Sequence, residues 1–345
     1  MLDLDLCERS HWLHEPLLRP ILERLHPEAG GGAIYDAAGK SVSSARLGDA
    51  FLKAAERSGP EVEPVLAYYG CLHWLKAVLH AVDPTYPPSS SVLQHGLSVR
   101  RQKRAVYRLL DEAIHVYREG VLQSACHRLH PAYHLPTRWQ MGDLLGQLPG
   151  LHGVLSTIAP DRLHVEPVQM RPGPAARGPG TTADVAWVPR ALAARRNMPI
   201  DAWVEEYLDR MPDSATASVG AETIDTASTQ TAATAGGPPP DLSGPEGLVR
   251  IPAPNGRHPW SKQYLEREYL TNRDPDPDWC VHYAILYGLA SLCRYNAREW
   301  MDILLHQNEV DATLVHAYFD AYPPRHVVDL ILKCATRAIA ESTQT

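Results

Sequence analysis

Residues 280–295 read CVHYAILYGLASLCRY, apolar around the whole circumference of a helix rather than along one stripe. A helix of that kind needs burial on every side. At about 1.5 Å per residue it is too short to cross a bilayer, so the rest of the chain has to wrap it. That requirement favours a mainly α architecture, a helical bundle in which N-terminal and C-terminal blocks pack together.

The remaining chain supplies suitable partners. Residues 64–82 place Val65, Leu66, Tyr69, Leu72, His73, Lys76, Ala77 and Leu79 at three- and four-residue intervals. Pro64 suits a first helical turn, and Asp83-Pro84 ends the run. Residues 6–26 give shorter helical pieces interrupted by Pro16 and Pro20. A small hairpin is expected at residues 34–42, turning at 36–39. A second strong helix is expected at 100–119, with Gly120 as its C-cap. Further helices are read at 140–151, 199–210, 297–305 and 312–339, the last broken at Pro323-Pro324. A small β insert is expected from 163–170 and 183–188, flanking a loop at 171–180 and joined by 248–252. Residues 211–247 include TASTQTAATAGGPPP and hold almost no large apolar side chain. Such a stretch cannot offset its ordering entropy by burial, so it reads as a long disordered linker. The expected division is a helical block at 1–160, the β insert plus a helix at 161–210, the linker at 211–247, and a helical block at 248–345 that packs on the first.

Composition narrows the setting. The chain has two Phe against fifteen Tyr and eight Trp, so its core should be threaded with side-chain hydrogen bonds. A net charge of −7 argues against a surface coated in nucleic acid but permits a local basic patch. Six scattered cysteines without a C-x-x-C pair fit a reduced, cytoplasmic protein. The opening MLDLDLCERS has no long apolar run and no signal-peptide character, and no membrane partner is expected.

Three stretches carry a resemblance. The first runs from Tyr68-Tyr69-Gly70 through Lys76-Ala77 into DPTYPPSSSVLQHGLSVRRQKR at 83–104. The second is HLPTRWQMGDLLGQLPGL at 134–151, and the third is HYAILYGLASLCRYNAREW at 282–300. Together they resemble the YaaC-like family, a bacterial group of largely unknown function, over most of the chain except the linker. A looser likeness, on Tyr68, Tyr69, Lys76, Ala77, His95 and Gly96, is to the helical HEPN domains. That likeness implies an RNA-related role, either as a metal-independent ribonuclease or as a partner of a nucleotide-handling protein. Its catalytic signature is an Arg followed after four to six residues by a His.

Four pairs here have that spacing: Arg9/His14, Arg19/His26, Arg108/His115 and Arg128/His134. With seventeen His in the chain, chance alone delivers about as many. Arg108/His115 is the best placed, on one face of the expected helix, where His would act as general acid/base and Arg would stabilise the phosphorane charge. The basic run Arg100, Arg101, Lys103, Arg104 and Arg108, with Tyr107 among it, either tracks a phosphate backbone or is a solvated helix face. His95-Gly96 precedes it, at a helix start whose amides suit an anion. His95, Arg100, Arg101 and Arg104 therefore form the candidate ligand site, the alternative being that His95 only pins its loop. Arg294 ends the most buried helix and must find an acid, backbone carbonyls or an anionic ligand shared with His95. Cys126, His127, His130 and His134 are metal-capable side chains in a short span, but Pro131 disturbs their spacing and structural histidines are the alternative. No phosphate-cradling, dinucleotide or serine-hydrolase glycine motif is present, and no cofactor or metal is expected. Three readings stand: a non-catalytic HEPN-like module that binds RNA, a nucleotide or a protein partner; a ribonuclease; and a structural interaction scaffold.

Overall fold

The computed structural model describes residues 8–100, 107–171, 185–189, 193, 196–210, 248–252, 258–265, 267–272, 274–305 and 308–342. The expected linker at 211–247 and nearly all of the expected loop at 171–180 lie outside them. The architecture is mainly α with small sheets. It divides into two compact units, Met1–Leu145 with Asp276–Thr345, and Gly146–Pro275.

The first unit opens with α1 (Arg9–Trp12) and α2 (Glu15–Leu25), which buries Leu18, Ile21 and Leu22. The hairpin expected at 34–42 is not formed. Instead α3 runs unbroken over Gly31–Ala55. Its buried positions Ile34, Ala37, Ala38, Ser41, Ala45, Gly48 and Leu52 follow a helical period, and most are small. They allow close approach to α4 (Glu63–Val82). A Cβ on Gly48 would lie 2.8 Å from Trp74 Cδ1 and 3.0 Å from the Gly70 carbonyl. The Ser41 hydroxyl donates to the Ala77 carbonyl at 2.8 Å. Tertiary packing thus overrides the local turn signal at Asp36 and Gly39. The α4 helix ends where Asp83 Oδ1 accepts from the Thr85 amide at 3.0 Å and the Thr85 hydroxyl at 2.6 Å.

The helix expected at 100–119 is also absent from the described residues. After β1 (Leu97–Val99), the chain makes a single turn at Leu109–Asp111 and enters β2 (Ala113–Val116). This strand pairs antiparallel with β1, Leu97 opposite Val116, and with β3 (Arg138–Gln140), Ile114 opposite Trp139. Ala113 and Ile114 are buried, and the β-branched Ile114 and Val116 suit a pleated surface. Gly120 is not a C-cap. With φ 149° and ψ −178° it precedes α5 (Val121–Leu129), and α6 (Met141–Leu145) follows β3.

The second unit contains α7 (His152–Ile158), β4 (Val165–Pro167), β5 (Gln169–Arg171), β6 (Val185–Pro189), α8 (Ile200–Asp209), β7 (Leu248–Pro252), β8 (Ser261–Tyr264) and β9 (Arg267–Thr271). The expected strand at 163–170 splits into β4, which pairs with β9, and β5, which joins β6 and the returning 248–252 strand in an antiparallel sheet, β5-β6-β7. A second sheet, β4-β9-β8, contains a hairpin that the alternation of side chains did not announce. Trp203, Tyr207, His258 and Trp260 pack as an aromatic cluster, with the Tyr207 and His258 rings stacked 4.0 Å apart. The guanidinium groups of Arg196 and Arg210 each sit 5.3 Å from the Trp260 ring.

The chain returns to the first unit as α9 (Asp278–Tyr295), whose residues from Trp279 to Leu292 are all buried, as its apolar circumference requires. It packs against α4, α6 and α12 (Pro324–Ser342). Between them come α10 (Ala297–Leu304) and α11 (Glu309–Ala321). Two polar ties hold this frame. The Trp300 indole donates to the Glu61 carbonyl at 3.0 Å. Asp311, buried, accepts from the Leu109 amide at 2.9 Å and from Asn308 at 2.6 Å.

Candidate functional site

The packing of α9 on α4 brings together side chains more than two hundred residues apart. Tyr68 and Tyr69 face it from α4, and Tyr283, Tyr287 and Arg294 from α9. The Tyr68 hydroxyl lies 2.8 Å from His95 Nδ1 and 3.0 Å from the Tyr283 hydroxyl. Tyr283 in turn donates to the His95 carbonyl at 3.3 Å. His95 is thereby gripped at ring and backbone, while its Nε2 has no protein partner among the described residues.

The loop that presents His95 is held just as closely. Gly96 has φ +82°, a left-handed conformation that glycine adopts without strain. Its carbonyl accepts from the Tyr117 amide at 2.9 Å and from the Gln123 side chain at 3.0 Å. The Val121 amide donates to the Gln94 carbonyl at 2.8 Å. Gly120 lies against this loop so tightly that a Cβ there would sit 2.4 Å from Gly96 Cα.

Arg294 donates through Nε to the Ala290 carbonyl at 3.1 Å and through a terminal nitrogen to the Tyr69 hydroxyl at 3.0 Å. Its guanidinium carbon is 5.7 Å from the Tyr69 ring, and the His95 ring is 6.2 Å from that same ring on centroids. Arg294 also lies over the exposed Tyr295 ring at 5.0 Å. Phe51 stacks on Tyr69 and His73, both at 5.7 Å, and braces the α4 stripe that continues to Lys76. Among the described residues no carboxylate pairs with Arg294 or Lys76. The guanidinium is held by a carbonyl and a phenol, so its other N–H groups remain available to a ligand.

The electrostatics follow from that arrangement. Burial, then the charges of Arg294 and Lys76, hold His95 below the ordinary histidine value of 6.5. Burial lowers Lys76 as well, and burial with the Lys76 charge lowers His73. Burial drives Tyr68 and Tyr283 far above the ordinary tyrosine value, so both stay protonated donors. The result is a half-buried, cationic and aromatic site.

Stability should respond to pH accordingly. Burial holds His73, His80, His95, His258 and His326 all below 6.5. As pH falls through about 6.5 the unfolded chain takes up protons that these folded histidines refuse, so stability falls. The lowered carboxyls of Asp83 and Glu56 act in the same sense at lower pH. Asp311, which burial pushes up to about 6, acts in the opposite sense below that value. The urea midpoint is therefore expected to be lower at about pH 5.5 than at about pH 7.5. An unchanged or higher midpoint at the acid end would contradict this account of the buried imidazoles.

The other sequence candidates are dispersed. Arg100 is exposed beyond β1, and Arg101 and Arg104 lie outside the described residues. Arg108 and His115 do not share a helix face: Arg108 is exposed before a short turn and His115 is on β2, opposite Ser98 and Arg138. In the other three pairs the arginine is engaged by acids, Arg9 by Asp329, Arg19 by Glu15 and Glu23, and Arg128 by Asp83. Cys126 is buried with its sulfur 3.2 Å from that of Cys280, and His130 stacks on Trp279, whereas His127 and His134 are exposed. No group of three or more His, Cys, Asp or Glu able to hold a metal occurs among the described residues. Among them, too, no helix is long and apolar enough to cross a membrane. Sequence reasoning did not assign His73, Lys76 and Tyr69 to a site, although their four- and three-residue spacing on α4 is a readable signal.

A family model described as YaaC-like Protein matches residues 8–334. No curated protein and no solved structure matches the chain.

Proposed function

This chain belongs to the YaaC-like family, and we propose that it is a non-catalytic, HEPN-like module that binds RNA or a nucleotide through phosphate at the site around His95 and Arg294. The observation that supports the reading is the meeting of Arg294 and His95 at Tyr69 on one half-buried surface: the guanidinium donates to the Tyr69 hydroxyl, and the His95 ring packs edge-on against the same ring. The two come from α9 and the loop before β1, and Arg294 is satisfied by a carbonyl and a phenol rather than by an acid. A guanidinium left without an acid in a partly desolvated place is costly, and an anionic ligand offsets that cost. The aromatic surroundings, Tyr69, Tyr287 and the exposed Tyr295, suit a nucleobase. Of the residues behind the HEPN likeness, Tyr68, Tyr69, His95 and Gly96 belong to this neighbourhood.

Calorimetric titration with adenosine 5′-monophosphate and with a short single-stranded RNA bearing a 5′-phosphate tests the proposal. Saturable binding at about micromolar concentration is expected, weakened by Arg294→Ala. Absence of binding to the unmodified protein by both probes would overturn it.

A further inference from the structure

We infer that Cys126 and Cys280 are a modification site, a dithiol that a hydroperoxide closes reversibly to a disulfide between α5 and α9. The two residues stand 154 positions apart in the chain, yet their sulfurs lie 3.2 Å from each other. A disulfide holds its sulfurs about 2 Å apart, so closure needs an approach of only about 1 Å. Cys293, by contrast, donates to the Glu61 carbonyl at 2.9 Å.

Burial shapes the chemistry of the pair. Cys126 and Cys280 are both buried. Burial, with the hydrogen bond to Cys126, holds the Cys280 thiol well above the ordinary value of 9, so it is inert toward bulky electrophiles. Hydrogen peroxide is small enough to enter during local opening. One thiol then attacks the peroxide: S–H and O–O break, S–O forms, and the departing hydroxyl takes the thiol proton and leaves as water. The neighbouring thiol attacks the resulting sulfenic acid. There S–O breaks, S–S forms, and a second water carries off the second proton. Each sulfur gives up one electron and the peroxide accepts both. Contact between the sulfurs gives the second step a high effective concentration, so it outruns further oxidation of the sulfenic acid.

The bridge would lie beside the loop that presents His95. Cys126 stands three residues after Gln123, whose side chain donates to the Gly96 carbonyl. Cys280 stands three residues before Tyr283, whose hydroxyl donates to the His95 carbonyl. Closure therefore ties together two helices that support that loop, and it does so whether or not phosphate binds there.

The test treats the folded full chain with millimolar hydrogen peroxide, alkylates the remaining thiols after denaturation and maps the peptides by mass. A linked Cys126–Cys280 peptide is expected, lighter than its two parts by two hydrogen masses and lost on treatment with dithiothreitol. In Cys126→Ser, checked for folding by its melting curve, Cys280 should advance to the sulfinic acid instead. Mapping of the unmodified protein decides the question even where that variant does not fold. Recovery of both thiols as alkylated peptides overturns the inference, as does their separate oxidation to sulfinic acids or a bridge from Cys280 to Cys334. A Cys126–Cys280 bridge that forms only when the chain is unfolded in urea before the peroxide is added overturns it as well.

Discussion

Gly120→Ala is expected to destabilise the protein by about 3 kcal/mol or more and to abolish phosphate binding. At φ 149° and ψ −178° Gly120 occupies a backbone region essentially closed to other residues, a strain of about 1–3 kcal/mol. The added methyl would also lie 2.4 Å from Gly96 Cα and 2.6 Å from Gly96 N. Both are backbone atoms, so no side chain can swing aside, and forced overpacking costs roughly 1–3 kcal/mol further. Relief requires the 94–96 loop to separate from 117–123, which breaks the Gly96–Tyr117, Gly96–Gln123 and Gln94–Val121 hydrogen bonds. His95 then loses its place. Gly39→Ala is the matched control, because Gly39 lies inside α3 with nothing within 4 Å of the new Cβ. That change should stabilise by about 0.5–1 kcal/mol. Urea midpoints for the two variants moving together would refute the role given to Gly120.

Arg294→Ala carries the second large effect. A charge-assisted hydrogen bond to phosphate contributes about 1.5–3 kcal/mol, so affinity for adenosine 5′-monophosphate should fall roughly 10- to 150-fold. Stability should change by less than about 1 kcal/mol, because the bonds lost are one to a carbonyl and one to a phenol at a half-buried place. Arg298→Ala, on the next helix, removes a charge that is 90% exposed and should leave affinity unchanged. Equal losses in the two variants would mean that net charge, not the site, governs binding.

The helices that a sequence announces best are those with an unambiguous apolar period, as in α4, or with an unbroken apolar run, as in α9. The α3 helix was hidden because it packs through Ala, Ser and Gly: such small residues give no large apolar period, and Ser and Gly favour turns, so their burial is decided by the partner helix. The β2 strand was hidden for the opposite reason: the basic run before it resembles an exposed helix, and only pairing with β1 and β3 makes a strand of Ala113–Val116. The β8-β9 hairpin has a polar, charged alternation that gives little signal. At the site, His95 and Arg294 were legible from chemistry, one in a turn after a proline-rich loop and the other at the end of an apolar helix. Their company was not, because Tyr68, Tyr69 and Tyr283 join them only through the packing of α4 against a helix more than two hundred residues away.

The central claim, that phosphate is held at His95 and Arg294, is met most directly by following the imidazole nitrogens of His95 in a ¹⁵N spectrum during titration with adenosine 5′-monophosphate. The account predicts a saturable shift at His95, with the same midpoint as the calorimetric binding curve, while His115 and His127 stay unmoved. A bound nucleotide that leaves the His95 nitrogens unshifted would contradict it.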